Sequence, residues 1–300
     1  MKSSERISRP MASIYEKQSD ALIIQCLFAQ RRNYTYAKLC AGAYFVICVL
    51  FVVTFSILKT LYRCDFITGL SIGLSVATIF AASFTNECCT DFKKKASGIQ
   101  QYMDSVLFTC KEIPCTKWLT PFNKHKIIEI VSSFKTSGFD ENDKWYEDYS
   151  SKDYPLQILL SQKENIRWDK TLRNYFRLSC NSLLVLAVIL IFATALLINP
   201  TFSSIIGIVP WSLPFIKYLR TFNQRMKNDC ARLCQLNALA DSLVEFYHAN
   251  QINYDDIVNL QNQIYEHRKT AILIPNFFFK LFHNRFQNNE KYIANNLRKE

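Results

Sequence analysis

Residues 183–216 form an uncharged stretch of 34 positions, with Asn199 and Pro200 near its middle. With residues 178–182 it makes an uncharged block of 39 residues. A single helix of that length would extend about 58 Å, far beyond the roughly 30 Å hydrocarbon core of a bilayer. Proline removes a helical hydrogen-bond donor and disfavours helix at the residue before it. The pattern therefore predicts two helices, about 178–198 and 201–217, joined by a tight turn.

Two further charge-free blocks, residues 39–58 and 66–86, contain 20 and 21 residues. A transmembrane helix needs about 20 apolar residues. Buried helices of a soluble core are the alternative, but three blocks that no charge interrupts argue against it. We therefore predict an all-α membrane protein with four transmembrane helices in two hairpins plus a helical cytosolic domain. The polar N-terminus does not resemble a signal peptide, so the first block is expected to be an uncleaved anchor.

Basic residues flank these blocks on one side. Of the 36 Lys and Arg residues, only Lys59 and Arg63 fall between the first two blocks, and none falls in the turn of the second pair. Lys and Arg near the ends of spans stay cytoplasmic, so both termini and the long insert are predicted to be cytosolic. Anionic headgroups account for the net charge of +11, which makes membrane lipids the expected partner, and not nucleic acid.

The predicted organisation has five parts, which alternate between cytosol and membrane. They are a cytosolic N-terminal helix, a first transmembrane hairpin, a cytosolic insert, a second transmembrane hairpin and cytosolic C-terminal helices, at 1–38, 39–86, 87–177, 178–217 and 218–300.

Small residues recur every four positions in the second block. This stripe is predicted to be a helix-packing face, because small side chains let helix backbones approach closely in lipid, and it consists of Gly69, Gly73, Ala77 and Ala81. On roughly the opposite side, Ser71, Ser75 and Thr78 either line a water path or bond their own backbone carbonyls. No block contains Asp, Glu, Lys, Arg or His, which argues against a proton relay or an ion-coupled transporter.

The last apolar block contains Gly207, Pro210 and Pro214. Each proline removes a helical hydrogen bond, so this helix is predicted to be kinked or soft. The position is either a hinge or a static bend held by its neighbours.

The cytosolic segments show helical patterns. Ser13 with Glu16 predicts a capping box at the start of a helix over 13–38. A 3-4-3-4 apolar seam predicts a coiled-coil-like contact with the protein's own helices or with another subunit; it runs through Leu233, Leu236, Ala240, Leu243 and Tyr247. The helix after Pro275 carries several phenylalanines, which suit either the headgroup layer or a protein core.

Guanidinium and aromatic groups mix just before the third block, at Arg167, Trp168, Arg173, Tyr175 and Arg177. Arginine binds phosphate through paired hydrogen bonds and stacks on aromatic rings, so the mixture suits a ligand with a base and a phosphate. It suits a membrane interface equally well in chemical terms, and both interpretations stay open here.

An enzyme is not predicted. The chain has six glycines, too few for a phosphate-cradling loop, and four scattered histidines, His125, His248, His267 and His283. The pairs Cys110/Cys115 and Cys230/Cys234 lack zinc-finger spacing and have no nearby pair of histidines. We therefore expect no catalytic residue, no metal and no cofactor.

Several segments resemble those of a known family. They are SIYEKQ (13–18), AQRRNYTYAK (29–38), DKWYEDY (143–149), SQKENIRWDKTLRNYF (161–176) and LQNQIYEHRK (260–269). Over about 13–297 the chain is similar to the SMODS-associated four-transmembrane family of pore-forming effectors. The resemblance implies a bacterial anti-phage role in a CBASS-like nucleotide second-messenger system. It implies multi-pass insertion in the inner membrane, which the effector disrupts to kill the infected cell. A cyclic nucleotide or the cognate nucleotidyltransferase system would be a partner.

The leading hypothesis is a homo-oligomeric membrane effector that a cytosolic signal opens. Signal reception or relay is assigned to Arg167, Trp168 and Arg173, with Tyr15, His267 and Arg268 as second choices. The alternatives are a membrane scaffold that forms no pore and recruits a soluble partner, and a membrane enzyme that acts on lipid.

Overall fold

The computed structural model describes residues 12–47, 65–134, 144–198 and 202–299 of the 300-residue chain. Eight α-helices, a 3₁₀ turn at Cys115–Lys117 and no strand occur within these ranges. The helices are α1 Ile14–Lys17, α2 Ala21–Phe45, α3 Asp65–Leu107, α4 Lys124–Ser132, α5 Tyr154–Ile198, α6 Phe202–His248, α7 Tyr254–Thr270 and α8 Asn276–Lys299.

The capping box at the first helix is confirmed. The Ser13 amide donates to a Glu16 carboxylate oxygen at 2.8 Å, and the Glu16 amide donates to the Ser13 hydroxyl at 3.2 Å. The prediction of one continuous helix over 13–38 is wrong, because α1 ends at Lys17 and α2 begins at Ala21. The interruption frees Gln18, whose side-chain oxygen accepts hydrogen bonds from the amides of Trp145 and Tyr146.

The main core combines side chains from α2, α3, α5, α6 and α7. The apolar seam of α6 lies in it: Leu233, Leu236, Ala240 and Leu243 are all buried. They pack with residues such as Ile99, Met103, Ile158, Leu159 and Leu260. The seam therefore contacts the protein's own helices, which was one of its two predicted partners.

A second apolar cluster lies where α8 meets α5 and α6. Phe278 and Phe286 are buried there with Leu172, Phe176 and Met226. The core interpretation of this aromatic helix is thus confirmed for its inner face. Phe277 and Leu281, on its other face, are each 71% exposed.

The sequence also predicts two helices, about 178–198 and 201–217, on either side of Asn199-Pro200. Helix α5 ends at Ile198, α6 begins at Phe202, and the two helices contact each other. Residues 199–201 themselves lie outside the described residues.

The predicted fold class is wrong in its four transmembrane helices. Across the described ranges, no helix combines the length and the apolar character that crossing a membrane requires. The sequence argument equated each charge-free block with a membrane helix. The blocks are parts of longer helices, because α3, α5 and α6 contain 43, 45 and 47 residues and their other halves carry charged side chains. Residues 48–58 of the first block lie outside the described residues.

Two helix segments differ sharply from the core, and we call them the apolar arms: residues 65–92 of α3 and 177–198 of α5. None of their described side chains is fully buried. Large apolar side chains are exposed along both arms, at Phe66, Leu70, Val76, Ile79, Phe80, Phe84, Leu178, Val185, Leu186 and Ile189. A soluble monomer rarely exposes so many apolar groups along neighbouring helical turns.

Candidate functional site

Arg173 forms the centre of a buried ion-pair cluster that joins three helices. Its Nε donates to Asp169, one turn earlier on α5, at 3.0 Å. Its Nη1 donates to Asp229 of α6 at 3.1 Å and to the carbonyl of Ile272, just after α7, at 2.8 Å. Asp229 also accepts the Ile272 amide at 2.8 Å. The cluster therefore fixes the end of α7 against α5 and α6.

His267 completes this cluster from α7. Its Nε2 lies 3.2 Å from a carboxylate oxygen of Asp169. Burial opposes the charge of Asp169, yet Arg173 and His267 outweigh it and hold the pKa of that carboxyl below its usual value. Asp169 is therefore ionised at neutral pH and serves as the shared partner of Arg173 and His267.

Arg268, the next residue on α7, binds a second buried carboxylate. Its Nη1 donates to Asp104 of α3 at 2.6 Å, and Asp104 is fully buried. Asp104 also accepts from the Tyr146 hydroxyl at 2.8 Å and from the Gln261 amide at 2.9 Å. Burial and the nearby Asp104 carboxylate raise the pKa of Tyr146, so its hydroxyl keeps the proton that it donates. A buried carboxylate with three donors is stable only while all of them remain in place.

Buried amides extend this network. The Gln261 amide donates to Gln101 at 3.0 Å as well as to Asp104. The Gln162 amide of α5 donates to the Gln261 side-chain oxygen at 3.2 Å and to the carbonyl of Ile257 at 3.1 Å. Helices α3, α5 and α7 are thus joined by polar contacts within an apolar core.

A third ion pair connects α5 with the C-terminal helix. Arg167 donates from Nε to Glu290 at 2.8 Å and also pairs through Nη2, so the contact is bidentate. Glu290 is buried, with an exposed fraction of 3%. Next to it, the Trp168 ring packs on Phe279 and Phe286 of α8, with centroids 4.9 and 5.6 Å apart. Trp168 is therefore a partly buried packing residue at the contact between α5 and α8.

The structure brings five of the six predicted signal residues onto α5 and α7 but does not place them in one open site. Arg167, Trp168 and Arg173 lie on α5, His267 and Arg268 lie on α7, and only Arg173 and His267 share a partner. The sixth residue, Tyr15, stands apart, with the Lys144 ammonium 3.7 Å from its ring centroid.

Burial limits access to three of these residues. Arg173 and His267 are buried and the Arg268 side chain is 9% exposed, so a ligand reaches their charged groups only if helices separate. Two polar atoms of these side chains, His267 Nδ1 and Arg268 Nη2, have no hydrogen-bond partner among the described residues. Their role in signal reception or its relay stays a prediction.

The other predicted site residues remain untested. Gly69, Gly73 and Ala77 are exposed, and a Cβ at either glycine would meet no described atom within 4 Å. Ala81, the last residue of the predicted packing face, is half-buried. Of the residues predicted to line a water path, Thr78 lies on α3, and the side chains of Ser71 and Ser75 lie outside the described residues. Helix α6 is continuous through Gly207, Pro210 and Pro214. The packing face, the water path and the hinge therefore stay predictions.

Sequence reasoning missed the carboxylates and the amide that complete the network: Asp104, Asp229, Gln261 and Glu290. One local signal was available, because Asp169 and Arg173 are four residues apart on a helix, a spacing that pairs opposite charges. The remaining partners come from distant segments. Among the described residues, no group of three or more His, Cys, Asp or Glu side chains could hold a metal ion.

Comparisons with known proteins relate the chain to one family of effectors. A family model described as the SMODS-associating 4TM effector domain matches residues 12–297. A protein of Bacillus cereus (strain VD146), described as a probable CBASS effector molecule, is 25% identical over 213 residues, which make up 68% of this chain and 69% of that protein. No solved structure matches the chain significantly.

Proposed function

Because the chain belongs to the family of SMODS-associating 4TM effector domains, we propose that it is an anti-phage CBASS effector that disrupts the bacterial inner membrane when a cytosolic signal reaches its helical core. The family and the Bacillus cereus relative support the effector role. Membrane disruption by a pore, self-association and location at the inner membrane are the further parts of the proposal.

The observation that carries the membrane step is the exposed apolar surface of the arms. Ile79, Phe80 and Phe84 are 65%, 73% and 67% exposed on α3, and Val185 and Ile189 are 59% and 57% exposed on α5. Transfer of one such side chain from water to an apolar phase contributes roughly 1.5–3 kcal/mol. Contiguous surfaces of this kind mark sites of membrane or protein interaction. A bilayer, together with further copies of the chain, supplies the apolar surroundings that these arms lack.

The core and the arms are mechanically continuous. Helix α5 carries Arg167 and Arg173 in the core and Leu178 and Ile189 in the arm, without an interruption between them. A signal that changes the ion pairs of α5 therefore changes the direction of its arm. To move a two-state equilibrium from 1:99 to 99:1, the signal must favour the active state by about 5.5 kcal/mol, and exchanging partners in a buried ion-pair network involves energies of this order.

Liposome leakage tests the proposal. Vesicles of phosphatidylethanolamine and phosphatidylglycerol that contain a self-quenching dye receive the full chain with or without a cyclic nucleotide. We expect dye release only when both are present. Ile79→Asn on the arm should reduce the release rate by about tenfold, because it removes the transfer free energy of one large apolar side chain. Ile128→Asn is the matched control, since Ile128 is an exposed isoleucine on α4 of the core, and it should leak as the parent does.

Other outcomes would contradict the proposal. Equal leakage from the two isoleucine variants would show that the arm does not act on the bilayer. Absence of leakage in liposomes, combined with cell death only when a second bacterial protein is expressed, would favour the scaffold hypothesis. Altered lipid composition after induction would favour a membrane enzyme.

A further inference from the structure

A surface cavity of about 460 Å³ lies beside α2, away from the ion pairs described above. Its volume falls within the range of roughly 300–1,000 Å³ that small-molecule sites occupy. Two arginines, three aromatic residues and a threonine line it: Phe28, Arg31, Arg32, Thr35, Tyr36 and Phe134.

The two faces of α2 explain why these groups gather there. Ala29, Gln30, Asn33 and Ala37 are buried against the core, and the helical period places Arg31 and Arg32 on the opposite, exposed side. Phe134, just after α4, closes the cavity from a second segment. The cavity is therefore formed by rigid helix on one side and by the end of α4 on the other.

Arg32 is held in a defined orientation by Tyr36. Its Nε donates to the Tyr36 hydroxyl at 2.8 Å, and its guanidinium carbon lies 5.7 Å from the Tyr36 ring centroid. Within the described part of the chain, Arg32 has no carboxylate partner. This distinguishes it from Arg167, Arg173 and Arg268, each of which is paired with a buried or half-buried carboxylate. The terminal nitrogens of Arg32 can therefore bind an oxyanion in a bidentate manner.

Aromatic rings in the cavity provide surfaces on which a nucleobase can stack. The Tyr36 ring packs on Phe92 of α3, with centroids 5.3 Å apart, and the Lys95 ammonium lies 5.8 Å from the Phe92 centroid. Phe28 and Phe134 add two further rings to the cavity. Stacking of a nucleobase on such rings contributes about 1–3 kcal/mol for each base.

We propose that this cavity binds a cyclic nucleotide, with the phosphodiester on Arg32 and a base among Phe28, Tyr36 and Phe134. The assignment rests on the proposed function, because it makes the cavity the receiver of the signal. A phosphate group is also present in phospholipid headgroups, but a headgroup carries no flat base to stack on the three rings of the cavity, so we assign the nucleotide. Helix α2 continues from the cavity to Phe45, which connects the ligand directly with the apolar block that begins at residue 39.

Fluorescence polarisation on the full chain tests the site, with labelled cyclic di-AMP, cyclic di-GMP, cyclic GMP–AMP and cyclic tri-AMP as probes. We expect at least one probe to bind, and Arg32→Gln to weaken its binding by about tenfold or more, because one charge-assisted contact to the phosphate is lost. Tyr36→Ala should weaken binding similarly, since it removes a stacking ring and the group that orients Arg32. Tyr36→Phe should have a smaller effect, because the ring remains.

Arg298→Gln is the matched charge control. Arg298 lies on α8, is 45% exposed and pairs with Asp148, so this variant should bind the nucleotide as the parent does. Circular dichroism melting of all variants verifies that they are folded. Failure of every probe to bind, or equal affinity of Arg32→Gln and Arg298→Gln, would overturn the assignment.

Vesicle flotation separates the two sources of phosphate. If Arg32→Gln loses affinity for phosphatidylglycerol vesicles while its nucleotide affinity is unchanged, the cavity is a headgroup site and the nucleotide assignment is wrong. The two proposals also fail separately. If leakage depends on the nucleotide but is unchanged by Arg32→Gln, the assignment of the cavity is wrong and the proposal of membrane disruption stands. If nucleotide binding depends on Arg32 but no leakage occurs, the assignment of the cavity stands and the proposal of membrane disruption is wrong.

Discussion

Helix α5 passes through two regions that distribute polar and apolar groups in opposite ways. Up to Phe176 the helix lies in the core, where Gln162, Glu164 and Arg173 are buried. In the arm, from residue 177 onward, no described side chain is buried, and Leu178, Val185 and Ile189 are exposed. Charged groups thus lie inside and apolar groups outside. The comparison teaches that the core is organised by specific paired contacts, whereas the arm is organised by the need for an apolar partner.

The largest effect is expected where the core pairing is broken. Asp104→Asn leaves Arg268 buried without its counter-charge, which should lower the free energy of unfolding by about 3–5 kcal/mol, as measured by urea denaturation. The double variant Asp104→Leu/Arg268→Met removes both charges and should recover only part of that loss, because the Tyr146 hydroxyl and the Gln261 amide still lose their acceptor. A single variant as stable as the parent would contradict the view that paired contacts organise the core.

The free energy of unfolding should depend on pH through Lys38, which lies near the boundary between the two regions. Its Nζ donates to Asn276 at 2.7 Å, and burial, assisted by nearby Arg173 and opposed by Asp169, lowers its pKa from the usual 10.5 to about 8. Between pH 8 and 10.5 the unfolded chain binds this proton and the folded chain does not. The Lys38 contribution to the free energy of unfolding therefore rises with pH in that window.

Urea denaturation at several pH values between 8 and 10.5 measures this contribution. Lys38→Gln should show a smaller rise in stability than the parent across the window, since it removes the titrating group. Identical slopes for the two proteins would show that the boundary is more hydrated than the contacts of Lys38 indicate.

The smallest effect on stability is expected in the arm. Phe80→Ser should change the free energy of unfolding in detergent-free buffer by less than about 0.5 kcal/mol, because Phe80 is 73% exposed. Phe108→Ala is the matched core variant, since Phe108 is fully buried, and it should lower the free energy of unfolding by about 3–5 kcal/mol. Comparable losses in the two variants would indicate that the arm of α3 is packed as tightly as the core.

Local signals in the sequence predicted local structure well. The Ser13 capping box and the buried seam of Leu233, Leu236 and Leu243 both depend on residues close together in the chain. Each was visible as a spacing, because helix caps and amphipathic faces are set within a few turns.

The site was less predictable because its contacts are distant in sequence. The pairs Arg167–Glu290 and Arg268–Asp104 join residues 123 and 164 positions apart. Nothing in the local pattern around Trp168 indicated whether its ring would meet α8 or lipid, since both surroundings suit an amphipathic aromatic side chain. The fold class failed for a related reason: a run without charge gives the polarity of a segment and does not give the length of the helix that contains it.

The length of the uninterrupted helices has a mechanical consequence. Helix α5 has 45 residues and is therefore about 68 Å long, and its arm after the last core residue accounts for about 33 Å of that length. If such a straight helix tilts about the Arg173 cluster, its far end moves farther than the residues near the cluster. A tilt of only about 5° at the cluster moves the far end by about 3 Å, so a rearrangement of one hydrogen bond near Arg173 is amplified into a displacement as large as an atom's diameter.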